Sequence, residues 1–188
     1  SSLLTEIKEH EIVIKRGEAA ETVQADLVIM SIGVTPETTL AQGAGLAIGQ
    51  TGGSLVNKNQ QTSDPDIYAV GDAAESFHRL LHRPGRLALA GPAQKQARRA
   101  ADHICGGSDR DRGFIGSSCI RIFEQNAACT GLSEKAAKAA GIVCDFAYVM
   151  SPDKVGIMPD SHYLNFKLVF EVPTGRILGA QAIGRGAA

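Results

Sequence analysis

The chain has 188 residues, 44% of them hydrophobic, which is length enough for one ordinary domain or two small ones with normal cores. Its 19 Lys and Arg nearly balance 20 Asp and Glu, so no basic surface of the kind that drives nucleic-acid binding is implied, and no nucleic-acid partner is expected. No apolar run reaches membrane-spanning length, and Ser1-Ser2-Leu3-Leu4-Thr5-Glu6 lacks the basic start and cleavage site of a signal peptide; a cytoplasmic location is expected.

The first residues enter an alternating pattern at once, and Gly184-Arg185-Gly186-Ala187-Ala188 follow a strand without a closing helix. Both ends read as an excerpt from a longer protein. Glu11 to Arg16 and Asp26 to Ile32 are β-rich runs flanking a Gly17-Glu18 turn, a hairpin or two neighbouring strands. Leu27-Val28-Ile29-Met30 is apolar throughout and is expected to be buried on both faces. Glu37 to Ala44 reads as a short helix ended by Gly45, and Ser54 to Asn57 as an edge strand after Thr51-Gly52-Gly53. Asp66 to Asp72 reads as a compact buried strand. Pro92 opens a helical pattern with Ala93, Ala97, Ala100, Ala101 and Ile104 on one face, closed by Gly106-Gly107.

The polar run 108–113 is the best linker candidate. Beyond it come strands Cys119–Phe123 and Ala127–Gly131, a helix with Ser133 as N-cap and Gly141 as stop, and strands Asn165–Val172 and Ile177–Ala182 joined by Pro173-Thr174-Gly175-Arg176. This module is expected to be α+β with an antiparallel sheet. Phe166, Leu168, Phe170 and Val172 alternate toward one face, and with Ile157-Met158-Pro159 they form an expected two-fold interface.

Two segments carry chemistry. In Thr62-Ser63-Asp64-Pro65-Asp66-Ile67-Tyr68-Ala69-Val70-Gly71-Asp72, a buried strand is expected to deliver Gly71, which lets a ligand approach the backbone, and then Asp72, which can accept hydrogen bonds from sugar hydroxyls. Taken alone, Gly-Asp is better explained by a strand-end turn in which Asp72 caps the next segment. In Leu87-Ala88-Leu89-Ala90-Gly91-Pro92-Ala93-Gln94, small residues feed a helix whose free N–H groups suit a negatively polarised oxygen, although every helix has such an end.

The Thr62–Asp72 block, the preceding Ser31-Ile32-Gly33-Val34-Thr35-Pro36, the Leu89–Gln94 helix start and the Cys119–Gly131 strands occur in the order found in pyridine nucleotide-disulfide oxidoreductases. Taken together they resemble that family's single-cysteine branch of CoA-disulfide reductase, NADH oxidase and NADH peroxidase. The resemblance implies a partial, Rossmann-like α/β FAD/NAD(P)-binding fold followed by an α+β dimerisation domain with an antiparallel sheet. It implies the end of an NAD(P)H domain over 1–33, the returning part of the FAD domain over 34–107, and an incomplete dimerisation domain over 113–188. The implied cofactors are FAD and NAD(P)H. Asp72 would bind the ribityl chain, Thr62 to Gly71 would line the FAD, and Leu89, Ala90 and Pro92 would lie by the flavin ring. Gln94 would contact a small disulfide substrate such as CoA disulfide or a persulfide, with oxygen or peroxide as the alternative acceptor. The implied assembly is a homodimer through residues 113–188.

The departures are equally specific. No Gly-x-Gly-x-x-Gly occurs, so both dinucleotide phosphate loops are absent. Cys105, Cys119, Cys129 and Cys144 lie at least ten residues apart, which leaves no redox or zinc pair. None of them corresponds to the family's flavin-facing cysteine, so the fragment is expected to be inactive. Met158 stands where CoA-disulfide reductases often have tyrosine before the proline, which brings the segment closer to the oxidase and peroxidase branch. A non-catalytic dimerisation or scaffold module is the reading from another class. His78, Arg79, His82, Arg83 and Arg86 read as a solvated basic loop in preference to a cradle for coenzyme A phosphates, since the sequence defines no anion cradle.

Overall fold

A computed structural model describes residues 2–187. The chain divides into two compact units, Ser1–Val34 and Thr35–Ala188. The first is an antiparallel sheet of β1 (Leu3–Ile7), β2 (Glu11–Arg16) and β3 (Ala19–Gln24) in that order. Arg16 pairs with Ala19 across a two-residue loop, and Gly17, at φ 63°, supplies the positive φ such a loop requires.

The second hairpin strand is therefore Ala19–Gln24, not Asp26–Ile32. The apolar run Leu27–Met30 pairs with no strand among the described residues, and Leu27, Ile29 and Ile32 are largely exposed. A strand buried on both faces needs neighbours on both edges to pair its backbone, and the described residues provide none.

The second unit opens with α1 (Thr39–Gly43), shorter than the expected helix at both ends, and Gly45 beyond it takes φ 73°. After a single 3-10 turn at Gly71–Ala73 come the hairpin β4 (Ser76–His78) and β5 (Arg83–Gly85), then α2 (Ala90–Ile104). The expected strands at Ser54–Asn57 and Asp66–Asp72 reduce to single bridges, Ser54 to Ile48 and Ala74, and Gln61 to Tyr68. Again no neighbouring strand extends them. Ile67 and Val70 stand partly open to solvent, so the block is an extended loop and not a buried strand.

Helix α2 buries only part of the face the apolar pattern predicts. Ala100 is buried and Ala93 half-buried, with Gln96 buried between them, while Ala97, Ala101 and Ile104 are exposed. Its end is as expected: Gly106 takes φ 85° after the C-cap Cys105, the left-handed geometry that closes helices. The polar run after it is fastened down. Arg99 Nη1 pairs with Asp111 at 2.8 Å and Nε with Asp109 at 3.3 Å, and the Asp111 amide donates to Lys58 O.

The remainder is a five-stranded antiparallel sheet of β6 (Ser117–Ile122), β7 (Gln125–Gly131), β8 (Cys144–Pro152), β9 (Tyr163–Glu171) and β10 (Ile177–Gly184), ordered β6-β7-β10-β9-β8. The edge strand β8 escaped the sequence reading. Helix α3 (Glu134–Ala139) is capped by Ser133 Oγ, which accepts from the Ala136 amide at 3.2 Å, and Gly141 stops it at φ 74°. Its Ala137 joins Leu132, Val169 and Leu178 in the buried cluster.

Val169 lies on the face that α3 covers, so the alternating Phe166, Leu168 and Phe170 point the other way and are half-buried. The register puts Phe146, Tyr148, Met150, Ile183 and Ile120 on Val169's face. Beyond α3 these side chains are exposed by 42–64%. Most of the sheet's open apolar surface is thus on the opposite face from the one expected, while of the expected residues Val172, Ile157 and Met158 are exposed. Among the described residues no helix is long and apolar enough to cross a membrane.

Candidate functional site

The Thr62–Asp72 block folds in two parts. From Thr62 to Tyr68 its polar groups are consumed locally. Thr62 Oγ1 donates to Asp64 O and accepts from the Asp64 amide, and Asp64 Oδ1 accepts from the Asp66 amide at 2.9 Å. Ser63 Oγ accepts from the Ala47 amide, and Pro65 O from Gln61 Nε2. These are the side-chain-to-backbone turns that Thr and Asp favour where no ladder competes. Tyr68 OH meets His103 Nδ1 at 2.8 Å, while Asn59 Nδ2 meets His103 Nε2 at 3.1 Å. An amide nitrogen only donates, so Nε2 accepts and Nδ1 carries the proton toward Tyr68. This network ties the loop to the last turn of α2.

From Ala69 onward the segment turns toward the start of α2. The Ala69 amide donates to Gln60 O, Val70 is extended, and Gly71 takes φ 74°, a conformation that disfavours any Cβ. Gly71 N–H donates to Gln96 Oε1 at 2.7 Å, and a Cβ on Gly71 would sit 3.4 Å from that of Ala93. The 3-10 turn is therefore seated on the first turns of α2. Asp72 is exposed at its start, and the ion pairs of the described residues leave its carboxylate free.

At the head of α2, Leu89 is an extended N-cap with no side-chain hydrogen bond to the helix. Pro92 has no N–H, so the orphan donors of the first turn reduce to Ala90 and Gly91. The fold thus brings the Gly71–Asp72 turn, with its free carboxylate, against the early turns of α2, the helix that Leu89, Ala90 and Pro92 open with free backbone donors. That donor and acceptor set fits a ribityl chain and the polar edge of a flavin. Thr62 to Tyr68 lie toward the other end of the helix, where Tyr68 meets His103. Gln94 is exposed on α2, apart from the buried side that holds Gln96.

Sequence reasoning missed two residues that hold this arrangement. Gln96 is 7% exposed and Glu75 4%; the Glu75 carboxylate accepts from Thr51 N at 2.7 Å and Thr51 Oγ1 at 2.8 Å. A Cβ on Gly49 would come within 2.3 Å of that carboxylate. The signal for Gln96 was its spacing: three residues after Ala93 and four before Ala100, it shares their face.

Comparison with known proteins agrees with this architecture. The pyridine nucleotide-disulphide oxidoreductase family matches residues 2–97, and its dimerisation domain matches residues 118–188. The chain belongs to the pyridine nucleotide-disulphide oxidoreductase family. It is 37% identical over 161 residues to an NADH oxidase of Lactococcus lactis, and 32% identical over 161 residues to a CoA-dependent NAD(P)H sulfur oxidoreductase of Pyrococcus abyssi. These alignments cover 85% and 86% of the chain and 36% of each relative, so the chain spans about a third of the length of the curated relatives it matches. Among solved structures it resembles an NAD-dependent persulfide reductase of A. fulgidus, with 32% identity and TM-score 0.89, covering 98% of this chain and 34% of that one. It also resembles the reduced CoADR-RHD protein of Bacillus anthracis, with 37% identity and TM-score 0.90, covering 98% and 33%. A FAD-dependent member from Desulfovibrio vulgaris matches at 30% identity and TM-score 0.75, with 97% and 43% covered. FAD and NAD(P)H are the cofactors of this family.

Proposed function

We propose that the chain is part of a homodimeric FAD-dependent NAD(P)H oxidoreductase that reduces a small disulfide or persulfide, such as one formed by coenzyme A, and that it contributes one side of the FAD site. The observation that carries this reading is the Gly71–Asp72 turn, held against the head of α2 by Gln96. FAD when bound supplies electron transfer between the nicotinamide and the acceptor. Asp72 accepts hydrogen bonds from ribityl hydroxyls. The free N–H groups of Ala90 and Gly91 and the helix dipole favour a pyrimidine edge that gains negative charge. Leu89 and Pro92 keep water from that edge, and Gln94 offers its amide to the substrate.

None of the four cysteines is among the residues of this site: Cys105 and Cys119 are exposed, Cys129 lines a cavity that Leu89 also lines, and Cys144 lies at the α3 face. The redox cysteine of the reading belongs to sequence outside this chain, and the isolated chain is inactive. The homodimer rests on the dimerisation-domain match and on the open apolar face of the sheet. Met158, where a CoA-disulfide reductase often has tyrosine, favours the second reading, in which oxygen or peroxide is the acceptor; an NADH oxidase is among the similar proteins.

The test is expression of the full reading frame that contains this chain. The proposal expects a yellow protein whose flavin is bleached by NAD(P)H without air and recovers its colour on adding CoA disulfide. Recovery only with oxygen or peroxide favours the second reading. A colourless protein that NAD(P)H leaves unchanged overturns both.

A further inference from the structure

We propose that the protein carries a phosphate-binding pocket between the β4–β5 hairpin and the start of the five-stranded sheet, in which Arg83, Arg86 and His78 receive a phosphate or diphosphate group. The cavity there has a volume of about 370 Å³, within the range of small-ligand sites. Its frame is built. Phe114 N–H donates to Phe77 O and Phe114 O accepts from Arg79 N–H, both at 2.9 Å. The Phe114 ring packs on His78 with centroids 4.8 Å apart, and a Cβ on Gly85 would come within 2.9 Å of that ring.

Charge gives the pocket its chemistry. Arg83 and Arg86 line it, no Asp or Glu does, and neither arginine belongs to an ion pair among the described residues. The cavity of about 860 Å³ differs in this respect, since Glu75, Asp109 and Asp111 balance its Lys58, Arg110 and Arg112. The one of about 460 Å³ is also basic, with Arg79, Lys95 and Arg112 beside the Arg99–Asp111 pair. Arg86 Nε is also buried without a hydrogen-bond partner among the described residues. An oxyanion is the partner that a guanidinium's planar fork matches.

His78 adds a third donor. Its Nδ1 accepts from the Leu80 and Leu81 amides at 3.3 and 3.4 Å, which leaves the proton on Nε2. Burial, and after it the Arg83 charge, holds His78 below the usual histidine range, the effect expected beside an unneutralised cation. Ser117 and Ser118 complete the polar wall, and Leu89 is the residue shared with the candidate flavin site.

The test uses the 188-residue chain and inorganic pyrophosphate, followed by amide NMR shifts, with inorganic phosphate, ADP and coenzyme A as separate arms. Saturable shifts are expected at Arg86, Phe114 and Ser117. Arg86→Gln and Arg83→Gln should each weaken binding about tenfold, the loss of one charge-assisted contact. Arg98→Gln, exposed on α2 outside the cavity, should leave it unchanged. Tighter binding of ADP or coenzyme A than of pyrophosphate identifies the source as an organic phosphate, and equal binding identifies a free one. Should Arg86→Gln fail to fold, judged by amide dispersion, Arg83→Gln and Arg86→Lys carry the test. The absence of saturation up to about 10 mM, a concentration at which binding contributes under about 3 kcal/mol, overturns the proposal. So does equal weakening by Arg98→Gln.

Discussion

Gln96 Oε1 accepts the Gly71 N–H at 2.7 Å and so joins the turn that presents Asp72 to the helix whose first residues supply free backbone donors. Truncation of the glutamine leaves that N–H without its partner, a loss of about 1–3 kcal/mol. Gln96→Ala should lower the midpoint of urea unfolding accordingly and speed amide exchange at Gly71. Unchanged exchange at Gly71 would remove Gln96 from this role.

Two glycines with the same backbone geometry differ in surroundings. Gly175 has φ 68° with open space around its missing Cβ, whereas at Gly131, with φ 66°, a Cβ would sit 2.2 Å from Leu178 O. Gly175→Ala should cost roughly 1–2 kcal/mol, the left-handed penalty alone. Gly131→Ala must in addition part β7 from β10 and should unfold the sheet at clearly lower denaturant. Equal stability losses would contradict this.

Glu134 anchors α3 to the sheet. Hydrogen bonds from Lys138, and after it from Lys167, each at 2.5 Å, lower its carboxyl to about 2, and Lys167 also sits 3.8 Å over the Phe146 ring. A depressed carboxylate contributes its full stability above its unfolded value, near 4.5, and loses it as pH falls toward 2. The wild-type chain should lose stability across that window more steeply than Glu134→Gln. Parallel acid-unfolding curves would count against the anchor.

On the proposed reading the isolated chain holds one side of a flavin site, and its sequence has no glycine-rich phosphate loop. Purified from cells, it should be colourless, and added FAD should bind weakly or not at all. A yellow preparation with stoichiometric flavin would show that the binding determinants lie elsewhere.

The sequence made the antiparallel module legible because its signals are local: Ser133 as a cap, Gly141 as a stop. What escaped it depended on partners distant in sequence. The apolar runs Leu27–Met30 and Ile67–Val70 carry strand propensity, but the described residues offer no neighbours to complete them. Gln96 escaped because an apolar pattern counts alanines and passes over a polar side chain buried by a hydrogen bond. The apolar face of the sheet was misassigned because Val169, which fixes the α3 side, sits between Leu168 and Phe170 in an almost continuous apolar strand, where alternation alone does not say which set faces the helix. The run Ser108–Gly113 read as free linker, yet its acids are held by Arg99.

The central claim, that Asp72 holds the flavin, is tested most directly by Asp72→Ala in the full-length protein, with flavin retention measured on dilution. Loss of a charge-assisted hydrogen bond of about 1.5–3 kcal/mol predicts FAD affinity lower by roughly ten- to a hundredfold, with the fold intact. A folded variant that retains its flavin as tightly as the wild type would contradict the account and return Asp72 to the role of a turn residue.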